Sequence, residues 1–180
     1  MGKLWEKIKV FLERSWKTRN TKSNLKGDMQ NSEEELSKQL EKLRMNKEIA
    51  TKYAWSYLGI FYKWGGDDPS GFDCSGLCGE ILQAVGLVDR GSDYTAQGLY
   101  NKFYKQEVIK PEEGCLVLYG KDKKHIIHVE YCISEELSIG ASGGGSKTLT
   151  VEDAIRQNAF IKIRPIRSRR DIVAYINPFL

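Results

Sequence analysis

Apolar residues at Leu4, Trp5, Ile8, Phe11, Leu12 and Trp16 recur at spacings of three and four, opposite a largely charged face, and predict an amphipathic helix over 4–16. Residues 17–31 are polar with almost no apolar side chains and read as a linker. Ser32 and Glu35 fit a capping box, so a long helix is expected from Ser32 to about Leu58, offering Leu36, Leu40, Leu43, Ile49, Tyr53 and Tyr57 for burial. Gly59 ends it. After the turn-rich run Gly65–Ser70, Asp73 is a good N-cap type, and Leu77, Ile81, Leu82 and Val85 continue as a helical stripe toward Gly86. The run Ser92-Asp93-Tyr94-Thr95 can cap another helix over 95–103, with Ala96, Leu99, Tyr100 and Phe103 on its apolar side.

Beyond Pro111–Gly114 the period changes to that of strands. Cys115–Tyr119, Lys124–Cys132 and Leu137–Ala141 are apolar or alternating runs separated by turn residues. Thr150 and Asp153 form a second capping box, opening a short helix to about Asn158, and strands over 159–165 and 171–176 complete the sheet. The stretch Arg164–Arg170, with four arginines, reads as a solvated hairpin connection. Gly143–Gly145 lacks the strand–turn–helix context of a phosphate loop, which argues against nucleotide binding.

Composition changes this picture only at the N-terminus. At 180 residues, with 41% hydrophobic and 29% charged residues, the chain has room for one domain and an appendage, giving a division into 1–31 and 32–180. The net charge of +4 is concentrated in the arm, where eight basic side chains face Glu6, Glu13 and Asp28. The stripe over 4–16 therefore has two readings: a helix docked on the domain or a protein partner, or one lying on an anionic membrane surface. Charges at Glu6, Lys7, Lys9, Glu13 and Arg14 interrupt that segment, so no signal peptide is expected, and no run is apolar enough to span a bilayer. Cys78, Cys115 and Cys132 lie in apolar patterns and are expected to be reduced, and no cysteine or histidine spacing suggests zinc.

Cys74 differs from the other three. It falls at the start of a helix, where unpaired N–H groups and the helix dipole favour an anion and hence a thiolate nucleophile. Only two histidines, His125 and His128, are available as a base, and both lie in one predicted strand. A helix-start cysteine followed by a strand histidine is the arrangement of papain-like thiol enzymes.

Four blocks in order, Tyr62-Lys63-Trp64-Gly65-Gly66, Phe72-Asp73-Cys74-Ser75-Gly76-Leu77, Lys110–Val117 and His128-Val129, resemble the NlpC family of cell-wall cysteine peptidases. The resemblance implies a papain-like α+β fold, with a catalytic helix packed on an antiparallel sheet, and hydrolysis of an amide bond in peptidoglycan stem peptides. The expected bond is D-glutamyl–diamino acid; a muramoyl-alanine amidase, an acyltransferase and an inactive wall-binding module are the alternatives. It assigns Cys74 as nucleophile and His128 as base, with Tyr62, Trp64, Asp73 and Ser75 near substrate and Asp73 facing a free α-amine. Neither metal nor organic cofactor is implied, and no nucleic-acid partner. Without a leader, the protein would reach the wall by another route, such as a phage lysis or injection apparatus. One departure stands out. The family's third polar residue, on the strand after the base, aligns with Gly140, which has no side chain. Glu130 shares the His128 face of its strand and is the replacement candidate, ahead of Ser142.

Overall fold

The computed structural model describes residues 25–180, apart from the side chains of 25–28 and 30. The predicted helix over 4–16 lies outside the described residues. The chain divides into two units after Arg44, and the second, Met45–Phe179, holds the sheet, the last part of the first described helix and every later element.

The first described helix, α1 (Leu25–Ser56), is already formed seven residues before Ser32. Ser32 is therefore not an N-cap; its hydroxyl donates to the Met29 carbonyl inside the helix at 2.8 Å, and residues 25–31 are helix rather than linker. The buried face also differs from the expected one. Ala50, Ala54 and Tyr57, at i, i+4 and i+7, pack into the core, while Leu40, Ile49 and Tyr53 are exposed. Small side chains fill this contact, and both alanines are fully buried.

After α1 the chain forms a short hairpin, β1 (Asp67–Asp68) and β2 (Gly71–Phe72), and then α2 (Cys74–Ala84) and α3 (Ala96–Phe103). The α3 start is capped as expected, with Thr95 accepting from the Gly98 amide. The remaining strands are β3 (Glu107–Val108), β4 (Leu116–Gly120), β5 (Ile126–Cys132), β6 (Leu137–Ser142), β7 (Phe160–Pro165) and β8 (Ile172–Ile176). A short helix, α4 (Val151–Gln157), sits between β6 and β7 and carries the predicted Thr150–Asp153 capping box.

The six-stranded sheet is antiparallel in the order β3-β8-β4-β5-β6-β7. Alternation along β4 divides its side chains between two cores. Leu116 and Leu118 join α1, α2 and α3 in the main core, while Cys115, Val117 and Tyr119 meet Cys132 and Ile166 in a smaller one. Helix α2 packs on β5 and β6, so the expected α+β arrangement of a helix on an antiparallel sheet is what is found.

The arginine-rich stretch is not a hairpin connection. Strands β7 and β8 are separated by β6, β5 and β4, so residues 166–171 cross the sheet. Ile166 anchors this crossover: it is buried, its amide donates to the Glu136 carbonyl and its carbonyl accepts from the Tyr119 hydroxyl. Arg169 lies over the Tyr119 ring at 4.8 Å and pairs with Asp171.

The α1 contact face is checked by substitution. Ala54→Leu should destabilise the protein by about 1–3 kcal/mol through overpacking, whereas Ile49→Ala should stay within about 0.5 kcal/mol, both measured by urea denaturation.

Candidate active site

The site begins with the hairpin before α2. Asp73 leaves the turn in extended conformation, and its Oδ1 accepts from the amides of Ser75 at 2.9 Å and Gly76 at 2.8 Å, and from the Ser75 hydroxyl at 2.9 Å. Its Oδ2 accepts from the Gly65 amide at 3.1 Å. Asp73 is thus an N-cap that also ties the glycine turn to the helix. Gly76 is required by close approach: a Cβ there would lie 2.0 Å from the Gly66 carbonyl oxygen. Cys74 is consequently fixed at the first helical position, half-buried, while the other three free cysteines are buried. Because Asp73 occupies the Ser75 and Gly76 amides, the helix-start amide left without such a bond among the described residues is that of Cys74 itself.

Tyr62 comes from the segment that follows α1. Its amide donates to the Ala159 carbonyl beside β7, and the neighbouring Lys63 amide donates to Phe72 in β2. The phenol is buried, and burial together with the nearby Cys74 and Asp73 groups keeps it protonated far above neutral pH. Tyr62 also lines a cleft of about 250 Å³ with Phe61, Lys63, Ser70 and Leu149–Val151. Trp64 is half exposed, held by its amide to the Thr148 carbonyl at 2.8 Å. The sequence-predicted residues Tyr62, Asp73, Cys74 and Ser75 are brought together, with Trp64 at the rim.

From the sheet, β5 presents His128 to the thiol. The imidazole lies beside Cys74, and its Nε2 lies 3.0 Å from Glu130 Oε1, which leaves Nδ1 as the nitrogen for sulfur. The Tyr119 ring packs against the imidazole with centroids 5.7 Å apart. Burial opposes a charge on His128, but the neighbouring Cys74 and Glu130 groups outweigh it and raise the pKa to about 9. His125 is elsewhere: exposed, with Nδ1 2.8 Å from Asp122 Oδ1.

Glu130 is only 1% exposed. Burial alone would push its pKa up, yet His128, Arg164 and Ser138 together hold it well below the ordinary carboxylate range. Ser138 on β6 donates to Oε2 at 2.6 Å, and Arg164 on β7 donates to Oε1. Gly140 is explained by the same carboxylate: a Cβ built there would stand 2.4 Å from Glu130 Cγ and 2.8 Å from Oε1. Ser142 pairs with Phe160 in the β6–β7 ladder and is not among the described partners of His128.

The family model for NlpC/P60 matches residues 59–165, more than half of the chain and the whole of this site. The chain belongs to the NlpC/P60 family. That is the family of cell-wall cysteine peptidases which the four sequence blocks resemble. Among curated relatives, dipeptidyl-peptidase 6 of Lysinibacillus sphaericus is 28% identical over 101 residues, 56% of this chain and 34% of that protein, so the chain spans about a third of its length. Among solved structures, the NlpC/P60 domain of the peptidoglycan hydrolase SagA superposes with a TM-score of 0.53 at 22% identity, over 72% of this chain and 97% of that one. The peptidoglycan hydrolase RipB from Mycobacterium tuberculosis gives 0.57 at 22% identity, over 75% and 65%. At these identities the structural likeness establishes the fold.

Two NlpC/P60 site residues were not found from sequence, Ser138 and Arg164. The signal lay in Glu130 itself, a carboxylate within the apolar run Val129–Cys132, which demands a buried cation and donors. Arg164 was instead assigned to a solvated turn, but its register opposite Ser138 turns it inward. The cap has a measurable consequence: Asp73→Ala should lower stability by about 1–2 kcal/mol in urea titration, because three donors at the α2 start lose their acceptor.

Proposed function

We propose that the protein is a cysteine endopeptidase that hydrolyses an amide bond in peptidoglycan stem peptides, with the D-glutamyl–diamino acid bond as its target. The observation that carries this reading is the grouping of Cys74, His128 and Glu130, with Cys74 at a capped helix start and His128 Nε2 3.0 Å from a buried carboxylate. Membership of the NlpC/P60 family and the solved peptidoglycan hydrolases of the same fold support the substrate class.

In this mechanism His128 takes the thiol proton, and the Cys74 sulfur attacks the scissile carbonyl carbon. The tetrahedral oxyanion receives the Cys74 amide and the Tyr62 hydroxyl, a neutral donor beside the thiol. The C–N bond then breaks as the His128 imidazolium protonates the leaving amine, giving a thioester. Water, deprotonated by His128, attacks that thioester and releases a carboxylate and the free thiol. Glu130 keeps the imidazole oriented and favours its charged form. Asp73 retains acceptor capacity mainly at Oδ2, since Oδ1 already holds three donors, so Oδ2 is the atom assigned to a substrate α-amine.

The test is mass spectrometry of muropeptides after digestion. The expected product is a new free D-glutamyl carboxyl, absent with Cys74→Ala. Separation of lactyl from L-alanine would instead define an amidase and overturn the assigned bond. His128→Ala should lose about 10²–10⁴-fold in kcat/KM, and His125→Ala should be mild. Tyr62→Phe should lose about 10²-fold in kcat if its hydroxyl meets the oxyanion. The raised His128 pKa also has a sign: the imidazolium that protonates the leaving amine persists below about pH 9 and is lost above it. Activity should therefore fall along an alkaline limb near pH 9, and in Glu130→Gln that limb should move to lower pH.

A further inference from the structure

Arg164 and Gly140 are features of the site that the mechanism does not use. Arg164 lies on β7, one strand beyond β6, and turns inward to Glu130 Oε1. Its Nε is buried with no acceptor among the described residues, so the carboxylate is the guanidinium's described side-chain partner. Gly140 lies on β6 between Ser138 and Ser142, and its missing side chain is the space that Glu130 fills. The β5–β6 ladder is confined to Tyr131↔Ile139 and Cys132↔Ser138, so it stops beside Glu130 and leaves room for the carboxylate between the strands.

We propose that the third member of the catalytic apparatus has moved from β6 to β5, and that Arg164 is a positioning residue which holds Glu130 ionised and aimed at His128, with Gly140 the obligatory vacancy. This rests on the Cys74–His128 reading above. The other groups facing the pair do not replace Arg164. The Cys78 and Cys132 thiols and the Tyr119 phenol are buried and pushed up, so they stay neutral. Arg169 and Asp171 bind each other. Lys162 donates to the Asn158 carbonyl and lies over the Phe160 ring at 4.2 Å, and burial lowers its pKa. Arg164 is the cation in contact with the carboxylate.

The direction of a pH shift distinguishes positioning from bystander charge. Removing Arg164 while Glu130 stayed ionised and in place would stabilise the imidazolium, since a neighbouring positive charge is gone. Removing it when Glu130 depends on it lets the buried carboxylate take up a proton or swing away, and the imidazolium loses its partner. The thiolate–imidazolium pair then forms only at higher pH.

The experiment is the rate of Cys74 alkylation by iodoacetamide against pH in the full chain, which needs no wall substrate and so separates this proposal from the choice of substrate. Glu130→Gln and Arg164→Met should each move the profile up by about one pH unit, Arg164→Lys should leave it near that of the unsubstituted protein, and the Glu130→Gln/Arg164→Met pair should shift no further than the larger single change. Gly140→Ala should act like Glu130→Gln, yet add nothing in a Glu130→Ala background, where its methyl group has room. A downward or absent shift in Arg164→Met, or additive shifts in the double variant, would overturn the role of Arg164. If Arg164→Met does not fold, the Gly140 comparison decides: an equal effect of Gly140→Ala with and without Glu130 refutes the relocated carboxylate. Absence of any fast-alkylating thiol that Cys74→Ala removes would refute the Cys–His pair itself, whatever the muropeptide digest shows.

Discussion

A charge buried beside the His128 imidazole sets the terms for this structure. An ionised carboxylate that is 1% exposed is strongly destabilising unless its oxygens are met by donors and opposite charge. Glu130 is met on three sides, by the His128 imidazole, the Ser138 hydroxyl and the Arg164 guanidinium, from three successive strands. The end of the β5–β6 ladder and the bare backbone at Gly140 follow from the space this group needs. The His128 imidazole inherits its orientation from the same arrangement.

The nucleophile's side of the site follows different physics. There the organising group is a cap, with the Asp73 carboxylate ordering the glycine turn and the first turn of α2. Both halves place reacting groups on regular structure rather than on free loops, Cys74 on a helix and His128 in a central strand, so their separation is set by how α2 packs on β5. Tyr62 completes the arrangement from a third element, the segment that bridges β2 and the edge of β7.

Local signals were read well from the sequence, and contacts distant in the chain were not. The capping residues Asp73, Thr95 and Thr150 marked three helix starts, because a short polar side chain before an apolar stripe acts within a few residues of itself. Ser32 carried the same signal and was misleading, because the helix had already begun and nothing in Gly27 or Asp28 stopped it. The α1 contact face was misjudged by favouring large apolar residues, when the side chains that reach the core are Ala50, Ala54 and Tyr57. Glu130 could be placed on the His128 face by alternation alone. That Arg164 reaches it depends on strand order, and the arginine-rich stretch gives no sign that three strands lie between β7 and β8. Gly140 was visible as a departure from the family, but its reason is the neighbouring strand's side chain.

Strand β7 joins the two halves in a way that bears on heat inactivation. At its start the Ala159 carbonyl holds the Tyr62 amide, and near its end Arg164 holds Glu130, about 17 Å along an extended chain. One strand thereby sets the spacing between the aromatic wall on one side of the thiol and the carboxylate behind the base. Among the described residues it is also the last strand of the sheet, with the short Gly59–Tyr62 segment along its outer edge. Outer strands open at lower free energy than central ones. Partial release of β7 would slacken both supports at once while the main core stayed packed, so on warming the catalytic geometry is lost ahead of the fold.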